Sequence, residues 1–551
     1  MFRIPPRTGT AAALLGLALG CLALGPALGW GFVLVQDMVF VPDPAFSRFT
    51  FGLSGGAPRV VPSDAVVTAL SSVLPGELVQ KAILLGVFVL GCSGAALLVP
   101  APGLAPRLVA GTFYVWNPYV AERLLMGQWA LLLGYAGLPW VVAAAGAGLR
   151  PGRTALAMLP AAVGGFAAMT VTALAALPVA LGRSRAWAVR VTAVLAAFSL
   201  PWLVPALLRP GTVTGDRVGV EAFAARADTP FGTVGSLLSL GGIWNAHAVP
   251  AGYETVAGAV ARLVLAVAGI AGFACLAGSR LPYRVGLAVA AAAGFAIACL
   301  GVTEPGRAAL ARLIGVWGGF AVFRDGQQFV APLALLVAVG LGLLTAAAQA
   351  AGVRGRGARW VGVRGRGARW VGVRGRGARW AGVMALVPLA VLPTLAWGAA
   401  GALEAVRYPR DWTAAREAIR RDGEPGDVLV LPFESYRRFP WNGGRAVLDP
   451  AQRFFAVPGR DVVANDTVRV GTMVVPSEDE RARTVERVLE RSSEALPAQG
   501  FRYVVVDAGT PAELSSIAAW LNRARIIVNG SDLRLYRFDG PVAGSAPETG
   551  Y

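Results

Sequence analysis

The stretch NPYVAERLLMGQWALLLGYAGLPW, residues 117–140, sets a carboxylate (Glu122), a guanidinium (Arg123) and an amide (Gln128) directly ahead of a long apolar run. Apolar runs of about 20 residues cross the roughly 30 Å of hydrocarbon in a bilayer, so the polar trio stands at the mouth of a membrane span. An unpaired charge near that depth costs roughly 2.5–3.5 kcal/mol. Neighbouring helical residues point about 100° apart. Glu122 and Arg123 therefore need separate partners, unless they snorkel to the interface.

The same kind of run recurs through the 551 residues, which are 55% hydrophobic and only 15% charged. A soluble enzyme carries about a quarter charged residues, so the composition excludes that class and implies a polytopic α-helical membrane protein. Cys21, Cys92, Cys275 and Cys299 all lie in apolar runs, which argues against a disulfide framework or cysteine metal cage. One histidine, His247, excludes mechanisms that need two.

Hydropathy predicts about eleven spans, near 11–33, 79–99, 105–118, 129–148, 154–167, 169–182, 187–208, 257–278, 285–301, 330–350 and 383–402. The first run follows Arg3 and Arg7 but has no small-residue cleavage site before the next polar stretch, so it reads as a retained span rather than a signal peptide. The short fifth and sixth read as a tight pair, because arginines flank their combined stretch at both ends (Arg150 and Arg153, then Arg183 and Arg185).

With a cytoplasmic amino terminus, the cytoplasmic segments hold arginines and no acid, as the positive-inside rule expects. All eleven acids before position 404 then fall outside: Asp37, Asp43, Asp64, Glu77, Glu122, Asp216, Glu221, Asp228, Glu254, Glu304 and Asp325. Eleven spans also put the carboxyl-terminal segment outside. Acid/base chemistry without histidine pairs rests on carboxylates, so any reaction belongs to the extracytoplasmic side. Residues 1–403 hold 30 basic and 11 acidic residues, and the remainder holds 20 and 21. The formal +18 is therefore an orientation signal and not a nucleic-acid footprint.

GVRGRGARW recurs three times up to Trp380 with a period of ten. It predicts a flexible cytoplasmic loop (351–382) against anionic lipid, with Trp360, Trp370 and Trp380 at headgroup level. From 404 the composition becomes that of a soluble domain. DVLVLPF (427–433), FRYVVVD (501–507), ARIIVNG (524–530) and LRLYRF (533–538) read as strands, and 411–422, 478–491 and 511–523 as amphipathic helices. The expected organisation is a transmembrane domain over 1–403 and an extracytoplasmic α/β domain over 404–551. No phosphate-binding glycine loop follows its first strand.

The outer loops carry the candidate chemistry. Asp37 follows the first span closely in LVQDMVFVPDPAF, with Asp43 a short extended stretch later. A partly desolvated carboxylate is a better proton acceptor, although a solvated loop start reads the same way. Trp244, Asn245 and His247 cluster in the glycine-rich loop 228–254. Aromatic rings beside hydrogen-bonding groups suit sugar faces, as well as an interface. FRDGQQF (323–329) places Arg324, Asp325, Gln327 and Gln328 before another span. An arginine there suits bidentate contact to a lipid phosphate.

Taken together, the aspartate after the first span, the 117–140 stretch, the short helix pair, FRDGQQF and the α/β tail resemble the GT-C class of integral-membrane glycosyltransferases. The likeness is to actinobacterial arabinofuranosyltransferase- and mannosyltransferase-like proteins of the cell envelope, and it covers most of the chain up to 350. The resemblance implies Asp37 as base on the acceptor hydroxyl, with Asp43 as its substitute. It implies Arg123 and Arg324 on the donor phosphate, and Glu122, Gln128, Trp244, Asn245, His247, Asp325 and Gln328 around the cavity and acceptor. It further implies a polyprenyl-phosphate sugar donor, an envelope glycan acceptor and contact with membrane lipid in the plasma membrane, with or without a divalent cation. A catalytically silent scaffold of envelope assembly and a lipid or solute transporter are the competing classes. The transporter lacks its usual internal symmetry and midplane charges.

Overall fold

A computed structural model of the chain describes residues 6–209, 217–278, 281–354, 386–489, 495–507 and 511–542. Asp216, Arg280, most of the arginine-rich repeat and the start of the expected last span lie outside them.

Among the described residues, seven helices are long and apolar enough to cross a membrane: Thr8–Leu28, Gly76–Leu98, Trp129–Ala147, Pro151–Leu181, Arg185–Leu208, Val256–Leu276 and Gly326–Ala351. An eighth candidate is the pair Arg284–Leu300 and Glu304–Val316, bent by 96°. The protein is a polytopic helical membrane protein with a C-terminal sheet domain.

The smaller count than the eleven expected has local causes. The run 105–118 forms only a 12-residue helix, Leu104–Val115, whose Arg107 is turned back onto the carbonyls of Ala96 and Ala101. At the end of the last expected span, Pro393 opens a one-turn 3-10 helix, because it offers no amide to continue an α-helix. Trp397, Ala399 and Ala400 then take left-handed angles, so this stretch is not a right-handed span.

The tight pair 154–167 and 169–182 lies inside one assigned helix, Pro151–Leu181, interrupted at Gly165 (φ 78°, ψ −154°). Packing on Trp129–Ala147 shows that the interruption reverses the chain. Gly137 touches Pro160 and Gly164 faces the Ala130 carbonyl, so the first arm runs back toward the start of Trp129–Ala147. The second arm returns: Gly134 touches Ala168, and Arg183 lies against Gly148 at the far end. The two arginine-bearing turns thus share one end of the bundle.

The C-terminal domain holds a five-stranded mixed sheet. Its strands are β3 (Asp427–Leu431), β6 (Val462–Val463), β9 (Phe501–Asp507), β10 (Arg525–Asn529) and β11 (Leu533–Arg537), in the order β10-β11-β9-β3-β6. β3 runs parallel to β6 and β9, and β11 is antiparallel to β9 and β10. Helices Arg410–Arg421, Glu480–Leu489 and Pro511–Trp520 fall on the amphipathic segments read from the sequence.

This domain is fastened to the first loop of the bundle. β1 (Phe32–Val33) pairs antiparallel with β2 (Ala405–Val406). Gln36 exchanges backbone bonds with Ala446 and Leu448, both 2.7 Å, on strand β5 (Ala446–Leu448). Phe32, Tyr408, Trp412 and Phe454 form a contiguous aromatic cluster across the seam, with ring centroids 4.8–5.8 Å apart. Buried rings of this kind add about 0.5–1.5 kcal/mol per pair beyond area burial, so the domain is a fixed wall beside the first loop.

Gly165 provides a test of the reversal. Its angles are open essentially to glycine alone, and an added Cβ would lie 2.7 Å from the Val61 carbonyl. Gly165→Ala is expected to destabilise the protein by about 1–3 kcal/mol or more, read by thermal unfolding in detergent. Unchanged stability would show that the chain does not turn there.

Candidate active site

The site is assembled around the short helix Pro118–Leu125. Asn117 caps it by accepting from the Val120 amide at 3.1 Å, and Pro118 supplies a preset first turn. The whole helix is buried, so Glu122 and Arg123 point in different directions into protein.

Arg123 is fully buried and uses all five of its N–H groups. Nε donates to Gln327 Oε1 at 2.7 Å, one terminal nitrogen to Gln128 Oε1 (2.5 Å) and Asp325, and the other to Asp325 Oδ1 (2.8 Å) and Gln327. The fork on Asp325 is the bidentate geometry that makes arginine–carboxylate pairs strong. Every Arg123 N–H thus meets a protein acceptor.

Glu122 faces the other way. Its Oε2 accepts from the Ile243 amide and from Gln327 Nε2, both at 3.2 Å. Its Oε1 meets Asp228 Oδ2 and Tyr253 Oη around Gly241, where an added Cβ would lie 2.6–2.9 Å from all three oxygens. Burial, and then the neighbouring Asp228 carboxylate, push the Glu122 carboxyl well above the usual range. Asp325 is the carboxylate that pairs directly with Arg123.

Gln128 links this hub to Asp37, donating to Asp37 Oδ2 at 3.3 Å while its oxygen accepts from Arg123. The other Asp37 oxygen accepts from the Tyr436 hydroxyl on β4 (Tyr436–Arg438) of the sheet domain. The Asp37 amide donates to the Met126 carbonyl at 3.1 Å. Next to it, Gly127 (φ 77°) lets the turn press close: an added Cβ would lie 2.3 Å from the Met38 nitrogen. Burial raises the Asp37 carboxyl above its ordinary range, and the hydrogen bonds from Tyr436 and Gln128 only partly oppose it.

The other expected residues divide. Asn245 reaches Gln36 Oε1 at 3.4 Å and Met126 Sδ at 3.3 Å, beside the Asp37 turn. Trp244 is buried edge-on against Phe223, and His247 is exposed, its amide capped by Asn245. Gln328, expected around the cavity, turns to the Val322 carbonyl, and it is the neighbouring Gln327 that joins the network. Asp43 is not brought to the site: its side chain is 87% exposed and meets Arg416 at 3.5 Å. Arg324 stacks over Phe223 at 5.3 Å and donates to Glu478 of the sheet domain at 3.4 Å. Sequence reading missed Tyr436, Asp228 and Glu478. Asp228 is an ordinary loop charge in sequence, Glu478 only opens a segment that reads as an amphipathic helix, and nothing near Tyr436 signals that its strand crosses to residue 37.

Among the described residues, no three of His, Cys, Asp and Glu stand so as to hold a metal ion. Both Asp37 oxygens are engaged by Tyr436 and Gln128, and both Asp325 oxygens by Arg123. Among the described residues, the acids in this arrangement do not form a divalent-cation site.

Removing the Arg123 guanidinium would strand Asp325. Arg123→Ala is expected to cost about 3–5 kcal/mol, as for other buried pairs broken on one side, and Arg123→Lys to recover only part of it because the fork is lost. Thermal unfolding checks both; a full-stability lysine variant would contradict the bidentate role.

No known protein-family profile matches the chain, and no curated protein matches it. Among solved structures it is similar to the archaeal oligosaccharyltransferase AglB of Archaeoglobus fulgidus in complex with an inhibitory peptide and a dolichol-phosphate, at 14% identity, TM-score 0.38, over 94% of this chain and 71% of that one. A second structure of the Archaeoglobus fulgidus oligosaccharyltransferase, with zinc and sulfate, matches at 13% identity and TM-score 0.38 over 93% and 69%.

Proposed function

We propose that this protein is a membrane glycosyltransferase that moves a sugar, of the arabinofuranose or mannose class, from a polyprenyl-phosphate donor to a cell-envelope glycan. The reaction would take place on the extracytoplasmic face. The observation that carries this reading is the setting of Asp37: a buried carboxylate fixed on both oxygens between the bundle and the sheet domain, with its proton affinity raised. Such a group is built to accept a proton.

In this reading Asp37 takes the proton of an acceptor hydroxyl as that oxygen attacks the anomeric carbon. The bond from anomeric carbon to phosphate oxygen breaks, and the lipid phosphate departs with the electron pair. Arg324, partly freed from Glu478, would stabilise the developing charge. The open cleft of about 340 Å³ lined by Arg226, Asp228, Thr229, Ala246 and Glu254 is the proposed acceptor approach, since Ala246 adjoins Asn245 beside the Asp37 turn. Arginine excess on the opposite loops supports a cytoplasmic amino terminus.

Asp37→Asn should fold normally and abolish transfer from a labelled polyprenyl-phosphate sugar; retained transfer would remove Asp37 from the chemistry. A base works above its pKa, so wild-type transfer should fail as pH falls through a value above the usual aspartate range. The Tyr436 hydrogen bond favours the charged form, so Tyr436→Phe should move this acid limb to higher pH. An unmoved limb would show that another group titrates.

A further inference from the structure

The contact between Arg324 and the sheet domain is not an isolated pair. Glu478 stands just ahead of helix Glu480–Leu489, and its Oε1 accepts from two guanidiniums, Arg59 of the first loop at 2.6 Å and Arg324 at 3.4 Å. The Glu478 and Arg324 side chains are buried, whereas Arg59 is more than half exposed. Burial alone would raise the Glu478 carboxyl, but the two arginines prevail and hold it below its usual range. Asp466 braces the segment, accepting from the Glu478 amide at 3.1 Å and from the Ser477 hydroxyl.

Two features separate this cluster from an ordinary interdomain ion pair. Two forked cations from different parts of the chain converge on a single carboxylate oxygen, while the second oxygen of Glu478 is buried with no hydrogen-bond partner. Forked donors match an oxyanion that offers several oxygens better than they match one. The Arg59 guanidinium also feels the Asp37 carboxylate, so the cluster adjoins the proposed reaction centre.

We infer that Arg59 and Arg324 form a phosphate site that Glu478 fills in the absence of substrate, and that an incoming phosphate displaces this carboxylate and releases segment 476–479. The inference rests on the proposed function and adds Arg59 as a second phosphate ligand and Glu478 as its competitor. The shared chemistry is a phosphate group, carried by a lipid or free in solution.

The test uses the full-length protein in detergent, titrated with undecaprenyl phosphate, undecaprenol and inorganic phosphate, with variants checked for folding by thermal unfolding. Removing an internal competitor raises apparent affinity by the reciprocal of the fraction of sites it had left open. Glu478→Gln should therefore bind undecaprenyl phosphate about 5–10-fold more tightly, and Arg59→Gln and Arg324→Gln about tenfold more weakly. Undecaprenol binding should be the same in all. Inorganic phosphate following the same order would assign the site to the phosphate alone, and its failure to bind would assign it to the lipid-linked form; both support the site. Amide hydrogen exchange at residues 477–479 of the wild type should rise on adding undecaprenyl phosphate. If Glu478→Gln leaves affinity unchanged while Arg324→Gln loses it, Glu478 is only a bracket and the competition is overturned, with the proposed function intact. If neither arginine variant changes affinity, the phosphate site itself is overturned. Loss of sugar transfer in the wild type would instead sink the functional reading.

Discussion

The buried guanidinium of Arg123 is the interaction on which the site depends. A charge taken from water is tolerated only when its hydrogen bonds are replaced, and here every N–H finds an oxygen. Those oxygens come from three side chains at the heads of two spans: Gln128 at one, and Asp325 and Gln327 at the other. The penalty for leaving any of them unmade is what holds the loops in register. Glu122 extends the hub to a further loop through the Ile243 amide and Asp228.

Asp37 is positioned by this hub on one side and by the sheet domain on the other. Its loop is threaded through backbone pairing with β2 and β5, so the turn cannot shift without disturbing both halves. The two kinds of contact between domain and bundle differ in strength. The aromatic seam around Trp412 is apolar and buried, whereas the Glu478 contact is polar, with a half-exposed partner in Arg59. Local opening draws on contacts of the second kind, which gives the domain a firm anchor at β2 and a releasable edge at 476–479.

The sequence made the fold class legible because hydropathy and charge are one-dimensional signals. Even the helical pair around Gly165 was readable from the arginines flanking it, although length alone counts it once. The four long strands and three helices of the domain followed from periodicity. Of the site, Asp37, Glu122, Arg123, Gln128 and Asp325 were visible because polar residues beside a hydrocarbon boundary stand out. Their pairing was not: the choice of Gln327 over Gln328 depends on which face of a 3-10 turn meets the hub, and Tyr436 reaches Asp37 across 399 residues. Asp43 stood as the substitute for Asp37, but its side chain is exposed and meets Arg416.

The proposed function requires that the face of the bundle where Asp37, Arg324 and the sheet domain meet be the face that receives a lipid phosphate. A cryo-electron microscopy map of the full-length protein with bound undecaprenyl phosphate would test this most directly. Phosphate density beside Arg324, on the Asp37 side of the Arg123 hub, is the predicted result. Density at the opposite end, among Arg150, Arg153 and Arg183, would contradict it.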